Sequence, residues 1–346
     1  METSRAIVIT EKDHLELREL EKPKLKAYEV LFQTKTVSLC TIEQRTYKGT
    51  RAYQLPFLGG HECSGVVAEV GEGVVGVKPG DKVIFTSGYC NQCEFDRSGR
   101  GTQCENKQKM PKHAVFEGFV QGGGLSEYLA IPAWQIIKMP DDVNLNHAAL
   151  TEPLACCVHS VSKARIKFAD TVVIIGLGIM GFLHMKLALM RGARVVISET
   201  DETRKALALK NGANMVFDPT KVDVLEEVRN ITGGKGADVV FNTIANPAIW
   251  RTAIELLAPY GRLVAYSSQD RKELIGVDFG YMHSKEIEFI GTLNPTIEDN
   301  EIATKLIGNN LIDMSDLIDS TYAYHQAQEA FDRACVPNTY RVLINF

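Results

Sequence analysis

Three kinds of metal-ligating side chain are spread over the first part of the chain. Cys40 supplies a thiol, His61 and Glu62 stand side by side in GGHECSGVV, and Glu152 opens TEPLACCVHS. Thiolate, imidazole and carboxylate are the usual zinc ligands of proteins. A zinc ion with a free coordination position binds an alcohol oxygen, lowers its pKa and holds the neighbouring carbon for hydride transfer. No short spacing unites these residues. Taken singly, Cys40 fits a small core residue and His61 a hydrogen-bonded polar group equally well.

Three further cysteines lie close together in a glycine-rich section. Cys90, Cys93 and Cys104 fall within fifteen residues. The opening METSRAIVITEKD runs straight into strand-like alternation, so no signal peptide is expected. Clustered thiols in a chain without an export signal indicate metal ligands before disulfides. We therefore expect a bound metal here and a reducing, cytoplasmic location.

The second part of the chain contains a G-x-G-x-x-G motif. Gly176, Gly178 and Gly181 lie between an apolar run, typical of a buried strand, and a helix-length segment. In that context the first glycine permits a tight turn, the second lets the backbone approach a pyrophosphate, and the third lets the helix pack close to the sheet. Ile179 and Met180 would stand at the helix N-terminus, whose free N–H groups bind phosphate. The alternative is a glycine turn without a ligand.

An acidic residue follows the motif at a suitable distance. The next apolar run, RVVISET, ends at Glu199, 23 residues after Gly176. A carboxylate there would accept hydrogen bonds from both ribose hydroxyls and repel a 2′-phosphate, which predicts NAD rather than NADP. Arg204, five residues further on, is a second cofactor-binding candidate that would weaken this preference.

Composition limits the class of protein. The 346 residues predict about two domains, and 45% hydrophobic with 23% charged residues is ordinary for a globular protein. Thirty-eight Lys and Arg against 43 Asp and Glu give a net charge of −5, which argues against a nucleic-acid partner. No apolar run reaches the ~20 residues of a membrane helix. We expect a small-molecule substrate.

The pattern of predicted strands, turns and helices changes near residue 150. Before it, short β-like runs are cut by glycine and proline, which predicts a mostly antiparallel barrel with one long excursion at 87–124. After it, strand and helix patterns alternate with short connections, which predicts a parallel sheet. From about residue 296 the pattern is mixed again. The expected fold class is therefore α/β.

Several ordered segments carry a family resemblance that covers essentially the whole chain. GGHECSGVVAEVGEGVVGVKPGDKV, GGGLSEYLAIPAWQIIKMPDDV, TEPLACCVHSV and IIGLGIMG resemble the zinc-dependent medium-chain dehydrogenase/reductase family, closest to its sorbitol (polyol) and threonine dehydrogenase branch. The resemblance implies a GroES-like β-barrel catalytic domain over 1–150, with a zinc lobe at about 87–124. It also implies a Rossmann NAD-binding domain over 151–295, a segment 296–346 that returns to the catalytic domain, and a homo-oligomer, dimer or tetramer.

The resemblance also implies a catalytic zinc. By motif position Cys40, His61, Glu62 and Glu152 match its residues, and Glu62 and Glu152 would alternate as ligand or act through water. The family commonly has a hydroxyl residue two places after the cysteine, as a proton relay, but this chain has Ile42 there. Thr41, Glu43 or Glu62, or zinc-bound water, would then take that role.

A structural zinc is implied as well. Cys90, Cys93, Asp96 and Cys104 keep the x2, x2, x7 intervals of four family cysteines, with Asp96 in place of the third thiol. Aspartate can ligate zinc through oxygen, so a site of three cysteines and one aspartate is feasible. The alternative is a metal-free loop with reactive thiols.

One difference from the family pattern concerns the charge of the substrate. Arg45 stands where related enzymes often carry histidine near the substrate. An arginine there could bind a carboxylate, phosphate or sulfonate, or it could be a surface arginine.

Together these features predict a zinc-dependent NAD(H) oxidoreductase that converts a secondary alcohol of a polyol or sugar-like compound to a ketone. The alternatives within enzymes are a threonine-type hydroxy-acid dehydrogenase and an anionic (phosphorylated) polyol dehydrogenase. The alternative from another class is a non-catalytic NAD(H)-sensing protein with a structural zinc.

Overall fold

The computed structural model describes residues 2–50, 53–86, 88–106, 123–268 and 275–346. The chain divides into two compact units. Unit 1 contains Met1–Ala155 and Thr296–Phe346, and unit 2 contains Cys156–Pro295. Residue 87 and residues 107–122 of the predicted zinc lobe lie outside the described residues.

Short strands dominate the first part of unit 1. The elements up to residue 164 are β1 (Thr3–Glu11), β2 (His14–Glu21), β3 (Glu29–Ser38), α1 (Thr41–Tyr47), β4 (Cys63–Val70), β5 (Lys82–Phe85), α2 (Glu94–Arg97), β6 (Tyr128–Pro132), β7 (Ile136–Lys138), α3 (Leu145–Ala148) and α4 (Thr151–Ala164). β1 and β2 form an antiparallel pair, while β3 to β7 join in one larger antiparallel arrangement.

Strands and helices alternate throughout unit 2. Its elements are β8 (Thr171–Ile175), α5 (Ile179–Met190), β9 (Arg194–Ser198), α6 (Glu202–Lys210), β10 (Met215–Phe217), α7 (Val224–Ile231), β11 (Ala237–Asn242), α8 (Ile249–Glu255), β12 (Leu257–Ala265), α9 (Phe279–Lys285) and β13 (Glu288–Gly291). The strands form one parallel sheet in the order β10-β9-β8-β11-β12-β13. All five residues of β8 are buried, as expected of a central strand covered on both faces.

The chain then completes unit 1. The last elements are α10 (Ile297–Gly308), β14 (Ile318–Ala323), α11 (Ala327–Ala334) and β15 (Arg341–Asn345). β15 adds to the larger sheet by pairing antiparallel with β3, and β14 pairs with β15 in parallel. The expectation of a largely antiparallel first part and a parallel second part is therefore confirmed, in an α/β fold.

Each unit has its own hydrophobic core. In unit 1 the core joins β1, β3, α1 and α11, with Ile7, Phe32, Tyr47 and Phe331 each no more than 1% exposed. In unit 2 it lies against the parallel sheet around Val173, and includes Trp250. The strands that carry the candidate site residues at their ends are held in place by these cores.

Strand register brings three distant segments together in unit 1. Val37 near the end of β3 lies opposite Cys63 at the start of β4. On its other side, Ser38 lies opposite Leu343 of β15. The residues just after β3, just before β4 and at the start of β15 therefore meet at one edge of the sheet.

Candidate active site and cofactor-binding loop

Three predicted ligand residues meet at that edge of the sheet. Cys40 precedes α1, and His61 and Glu62 precede β4. One ligand atom from each lies within 4.8 Å of the other two. Cys40 and His61 are partly exposed, whereas Glu62 is buried. The thiol and the imidazole therefore stand at the accessible side of the cluster, where a bound molecule could reach them.

A buried carboxylate orients His61. Glu43 lies in α1 with no exposed surface. Its Oε1 accepts a hydrogen bond from the backbone N–H of Gly60 at 2.9 Å and lies 3.5 Å from Nδ1 of His61. Although burial opposes a charged imidazole, Glu43 and Cys40 raise the pKa of His61 well above its ordinary value. With Nδ1 facing Glu43, Nε2 remains available for a metal, an arrangement common in zinc sites.

Glu62 is held by an arginine that the sequence had not singled out. Arg341 at the start of β15 donates from Nη2 to Oε1 of Glu62 at 2.6 Å and from Nε to Oε2 at 2.9 Å. The Ser38 hydroxyl donates to Oε2 at 2.6 Å. Arg341 Nη2 also lies 3.7 Å from Cys40 Sγ. This carboxylate is therefore fixed and neutralised, with little freedom to move.

Glu152 is close to this cluster without belonging to it. It lies in the first turn of α4, partly exposed, and the group of ligand atoms within 4.8 Å comprises only Cys40, His61 and Glu62 among the described residues. Against the effect of burial, Glu62, Cys40 and, more weakly, Glu152 raise the pKa of Arg341. The Glu152 carboxylate is therefore near enough for its charge to affect Arg341.

The other predicted residues of this region occupy different faces of α1. Thr41 and Arg45 are exposed, four residues apart and so on one face of the helix. Ile42 packs against the core of unit 1. Within the described residues the Arg45 side chain makes no hydrogen bond or ion pair, so its guanidinium is available to a ligand.

The donor set fits zinc. Thiolate, imidazole and carboxylate are its ordinary ligands. Burial and the Glu62 carboxylate together raise the pKa of the Cys40 thiol, against the opposing effects of Arg341 and His61. A divalent cation would reverse this balance by stabilising the thiolate.

The glycine motif of unit 2 forms a turn from β8 into α5. Gly176 has φ +87°, which only glycine adopts without strain. A Cβ at Gly181 would overlap the carbonyl oxygen of Gly176. Gly178 is the N-cap of α5 and no side chain caps that helix, so the N–H groups around Ile179 and Met180 remain available to a phosphate.

Glu199 stands directly after β9 and is 8% exposed. Its Oε2 accepts the backbone N–H of Leu177, within the glycine turn, at 2.7 Å. Its Oε1 accepts the N–H groups of Thr200 at 2.7 Å and Asp201 at 3.0 Å. The carboxylate is therefore rigidly placed beside the turn. Arg204 is partly buried in the first turns of α6.

A second group of candidate ligands lies elsewhere in unit 1. Cys90, Cys93, Asp96 and Cys104 each offer a ligand atom within 4.8 Å of the others. The three cysteines are buried. They form no disulfide.

Sequence reasoning missed Arg341, which is 279 positions from Glu62. No local pattern marks it, because only the pairing of β15 with β3 brings it to the site. It also left the role of Glu43 open. The four-residue separation of Glu43 from the core residue Tyr47 on α1 would have indicated an inward-facing carboxylate.

Comparisons with known proteins agree with this architecture. Residues 26–141 match the family described as alcohol dehydrogenase GroES-like domain, and residues 176–309 match zinc-binding dehydrogenase. The chain is 30% identical over 340 residues to D-arabitol-phosphate dehydrogenase of Enterococcus avium, covering 96% of this chain and 94% of that protein. It is 26% identical to sorbitol dehydrogenase of Bacillus subtilis (strain 168), covering 95% and 93%.

Solved structures share the fold. Galactitol-1-phosphate dehydrogenase of Escherichia coli superposes with a TM-score of 0.87 at 23% identity, covering 99% of this chain and 100% of that chain. Across the described residues, every helix is too short or too polar to traverse a lipid bilayer.

Proposed function

The chain belongs to the zinc-dependent medium-chain dehydrogenases, and from that premise we propose that it oxidises a secondary alcohol of a polyol or sugar-like compound to a ketone with NAD⁺. The observation that carries the proposal is the meeting of Cys40, His61 and Glu62 ligand atoms within 4.8 Å. In the overall reaction the alcohol loses a hydride to the nicotinamide and a proton to solvent, giving ketone, NADH and H⁺.

Cys40, His61 and Glu62 would hold the zinc, with Glu152 as the further carboxylate near it. A bound zinc lowers the pKa of a substrate hydroxyl and polarises the resulting carbonyl. Glu43 keeps Nδ1 of His61 engaged, so that Nε2 faces the ligand position. Arg341 keeps Glu62 in place and limits the negative charge around the site.

The proton released by the substrate alcohol must be transferred from the site to solvent. Glu43 is buried and already contacts His61 and Gly60. Glu62 is buried as well and is bonded to Arg341 and Ser38. This favours Thr41, exposed in the first turn of α1, as the hydroxyl that passes the proton to solvent. An unchanged pH profile of kcat in Thr41→Val would exclude it.

The glycine turn of unit 2 would bind the cofactor pyrophosphate at the N-terminus of α5. The rigid Glu199 carboxylate would accept hydrogen bonds from the adenosine ribose, which supports NAD over NADP. Arg204 would stand near the same ribose.

The test is NADH formation, followed by absorbance, over a panel of neutral polyols, together with the zinc content of the purified protein. Cys40→Ala should lose one zinc ion per chain and all turnover while keeping NADH binding. Full activity in Cys40→Ala would overturn the catalytic assignment. NADH binding without turnover of any panel member by the wild-type protein would favour the NAD(H)-sensing alternative.

A second candidate substrate class is a phosphorylated polyol. It is favoured by Arg45, exposed on the helix that follows Cys40 and without an ion pair among the described residues, and by the similarity to D-arabitol-phosphate dehydrogenase. A guanidinium there would form a two-point contact with a phosphate. A threonine-type hydroxy acid would offer it a carboxylate instead.

One variant distinguishes a phosphorylated polyol substrate from a neutral one. Arg45→Ala should raise KM for a polyol phosphate by at least about tenfold, since hydrogen bonds to charged groups contribute roughly 1.5–3 kcal/mol, and leave KM for the neutral polyol unchanged. Lys48→Ala is the control, because it removes a nearby cation that is already paired with Asp13. Equal effects of Arg45→Ala on both substrates would exclude an anion site at Arg45.

The cytoplasmic location, the homo-oligomeric state and the absence of nucleic-acid partners stay predictions.

A further inference from the structure

His184 is a buried polar side chain to which the proposed reaction gives no role. It lies on α5, three residues after the last glycine of the motif, and has no exposed surface. The other buried residues of α5, which the structure describes in full, are glycine, alanine and larger apolar residues. Burying an imidazole is costly unless its nitrogens are hydrogen-bonded. The partners of the two nitrogens therefore account for a histidine at this position.

Both ring nitrogens of His184 are engaged, and their partners fix the tautomer. Nδ1 lies 2.7 Å from the carbonyl oxygen of Met180, and Nε2 lies 2.9 Å from the hydroxyl of Ser160 on α4. A carbonyl oxygen can only accept, so Nδ1 carries the proton and Nε2 accepts the Ser160 hydroxyl. Burial lowers the pKa of His184 to about 4. The ring is therefore neutral at pH 7 and keeps this arrangement.

The imidazole has little freedom to leave the Met180 carbonyl. The rings of Phe241 on β11 and Tyr266 after β12 pack against it, each with its centroid 4.6 Å from that of His184. The Sγ of Cys157 on α4 lies 3.4 Å from Nδ1, and it also donates to the Met180 carbonyl at 3.6 Å. Side chains from the parallel sheet and from α4 therefore hold Nδ1 in place.

The Met180 carbonyl belongs to the same peptide group as the N–H of Gly181, the last glycine of the motif. A peptide group is planar, so a bond that holds the carbonyl also sets the direction of the N–H. Among the described residues, no acceptor takes the N–H of Gly181, as expected in the first turn of a helix. A hydrogen bond to the carbonyl also polarises the peptide group and makes its N–H a stronger donor.

We propose that His184 is a positioning residue for the cofactor pyrophosphate. Through the Met180 carbonyl it holds the peptide group so that the Gly181 N–H points out of the first turn of α5 and donates more strongly to a phosphate oxygen. The inference deepens the proposed function, since it rests on cofactor binding at the glycine turn. It is independent of the catalytic metal and of the alcohol substrate.

Two substitutions separate the contact with Met180 from the rest of the His184 side chain. Asparagine places an amide NH₂ where Nδ1 stands, so His184→Asn can still donate to the Met180 carbonyl. Glutamine places its amide where Nε2 stands, so His184→Gln keeps a partner for Ser160 but loses the donor to Met180. Met185→Ala is the packing control, because it opens a cavity at the next, equally buried position of α5.

The experiment measures Kd values for NADH, ADP-ribose and adenosine by calorimetry, in the full-length wild-type protein and in each variant. His184→Gln should weaken binding of NADH and ADP-ribose, which contain the pyrophosphate, by about two- to fivefold, because cooperative strengthening is a modest fraction of a hydrogen bond to a charged group. The Kd for adenosine, which has no phosphate, should not change. His184→Asn and Met185→Ala should bind all three ligands as the wild-type protein does.

His184→Leu is the second variant in case His184→Gln does not fold, because leucine suits the apolar surroundings and also lacks the donor. It should show the same difference between ADP-ribose and adenosine. Unchanged Kd values for NADH and ADP-ribose in these variants would overturn the proposal. An equal loss for adenosine, or the same loss in His184→Asn or Met185→Ala, would overturn it by assigning the effect to a general loosening of unit 2.

The same experiment distinguishes this inference from the proposed function. A wild-type protein with no affinity for NADH or ADP-ribose would overturn the role given to His184. NADH binding without turnover of any polyol would count against the proposed function, and the Kd values of the variants would still decide the role of His184.

Discussion

Arg341 and Glu62 form a buried two-point ion pair at the candidate active site, with N–O distances of 2.6 and 2.9 Å. The arginine comes from the last strand of the chain and the glutamate from the segment before β4. Their side chains are 5% and 1% exposed. The pair therefore ties the end of the chain to the residue beside His61, and links stability of unit 1 to the geometry of the site.

Arg341→Met should destabilise unit 1 by about 3–5 kcal/mol, because it leaves the buried Glu62 carboxylate without its partner. The measurement is urea unfolding followed by Trp134 fluorescence, with Trp250→Phe in the background so that only unit 1 reports. The double variant Arg341→Met with Glu62→Gln should recover part of the loss. A single variant as stable as its parent would mean that the ion pair contributes nothing to the fold.

Glu43→Gln should weaken the catalytic metal site by roughly tenfold to a hundredfold, the usual effect of removing an outer-shell partner of a ligating histidine. Gln can still accept the Gly60 N–H but no longer supplies the charge that faces His61. The measurement is zinc release together with kcat and KM. Glu11→Gln, an exposed glutamate on β1, is the control. Equal zinc release in the two variants would contradict the role given to Glu43.

Glu199→Gln should narrow the preference for NAD over NADP, because it removes the charge that repels a 2′-phosphate while keeping an oxygen for the Leu177 N–H. The change should show as a lower Kd for NADPH, with NADH bound no more tightly than before. The exposed Glu226 provides the control variant Glu226→Gln. If the ratio of the two Kd values stays the same, the ribose contact lies elsewhere.

Unit 2 should lose stability as pH falls from about 6.5 to about 4. His184 has no exposed surface and lies against Phe241 and Tyr266. Burial lowers its pKa to about 4. Between these pH values the unfolded chain binds a proton at His184 and the folded chain does not, so unfolding is favoured as pH falls. Below both pKa values the free energy of unfolding is lower by about 3 kcal/mol than at neutral pH.

The measurement for His184 is urea unfolding at several pH values, followed by the fluorescence of the buried Trp250, with Trp134→Phe in the background. His184→Gln should be less stable than its parent at pH 7 but should show a flatter pH dependence. His159→Gln, a partly exposed histidine on α4, is the control. A His184→Gln protein with the same pH dependence as its parent would assign the titration to other groups.

The sequence alone determined those features that depend on local order. The glycine spacing, the apolar run of β8 and the position of Glu199 identify the turn, because they follow one another in the β8–α5–β9 unit. The intervals of Cys90, Cys93, Asp96 and Cys104 identify the second cluster for the same reason. The second cluster needs only a few consecutive bends of the chain, and Glu199 reaches the glycine turn because β8 pairs with β9, the next strand along the chain.

Only the tertiary structure decided which distant residues share the first site. Cys40 and His61 meet because β3 and β4 pair with Val37 opposite Cys63, and Arg341 joins them because Ser38 lies opposite Leu343. It also separated the candidates on α1, turning Glu43 toward His61 and leaving Thr41 and Arg45 exposed. Strand register is set by packing of both sheet faces over the whole unit, so no short stretch of sequence contains it.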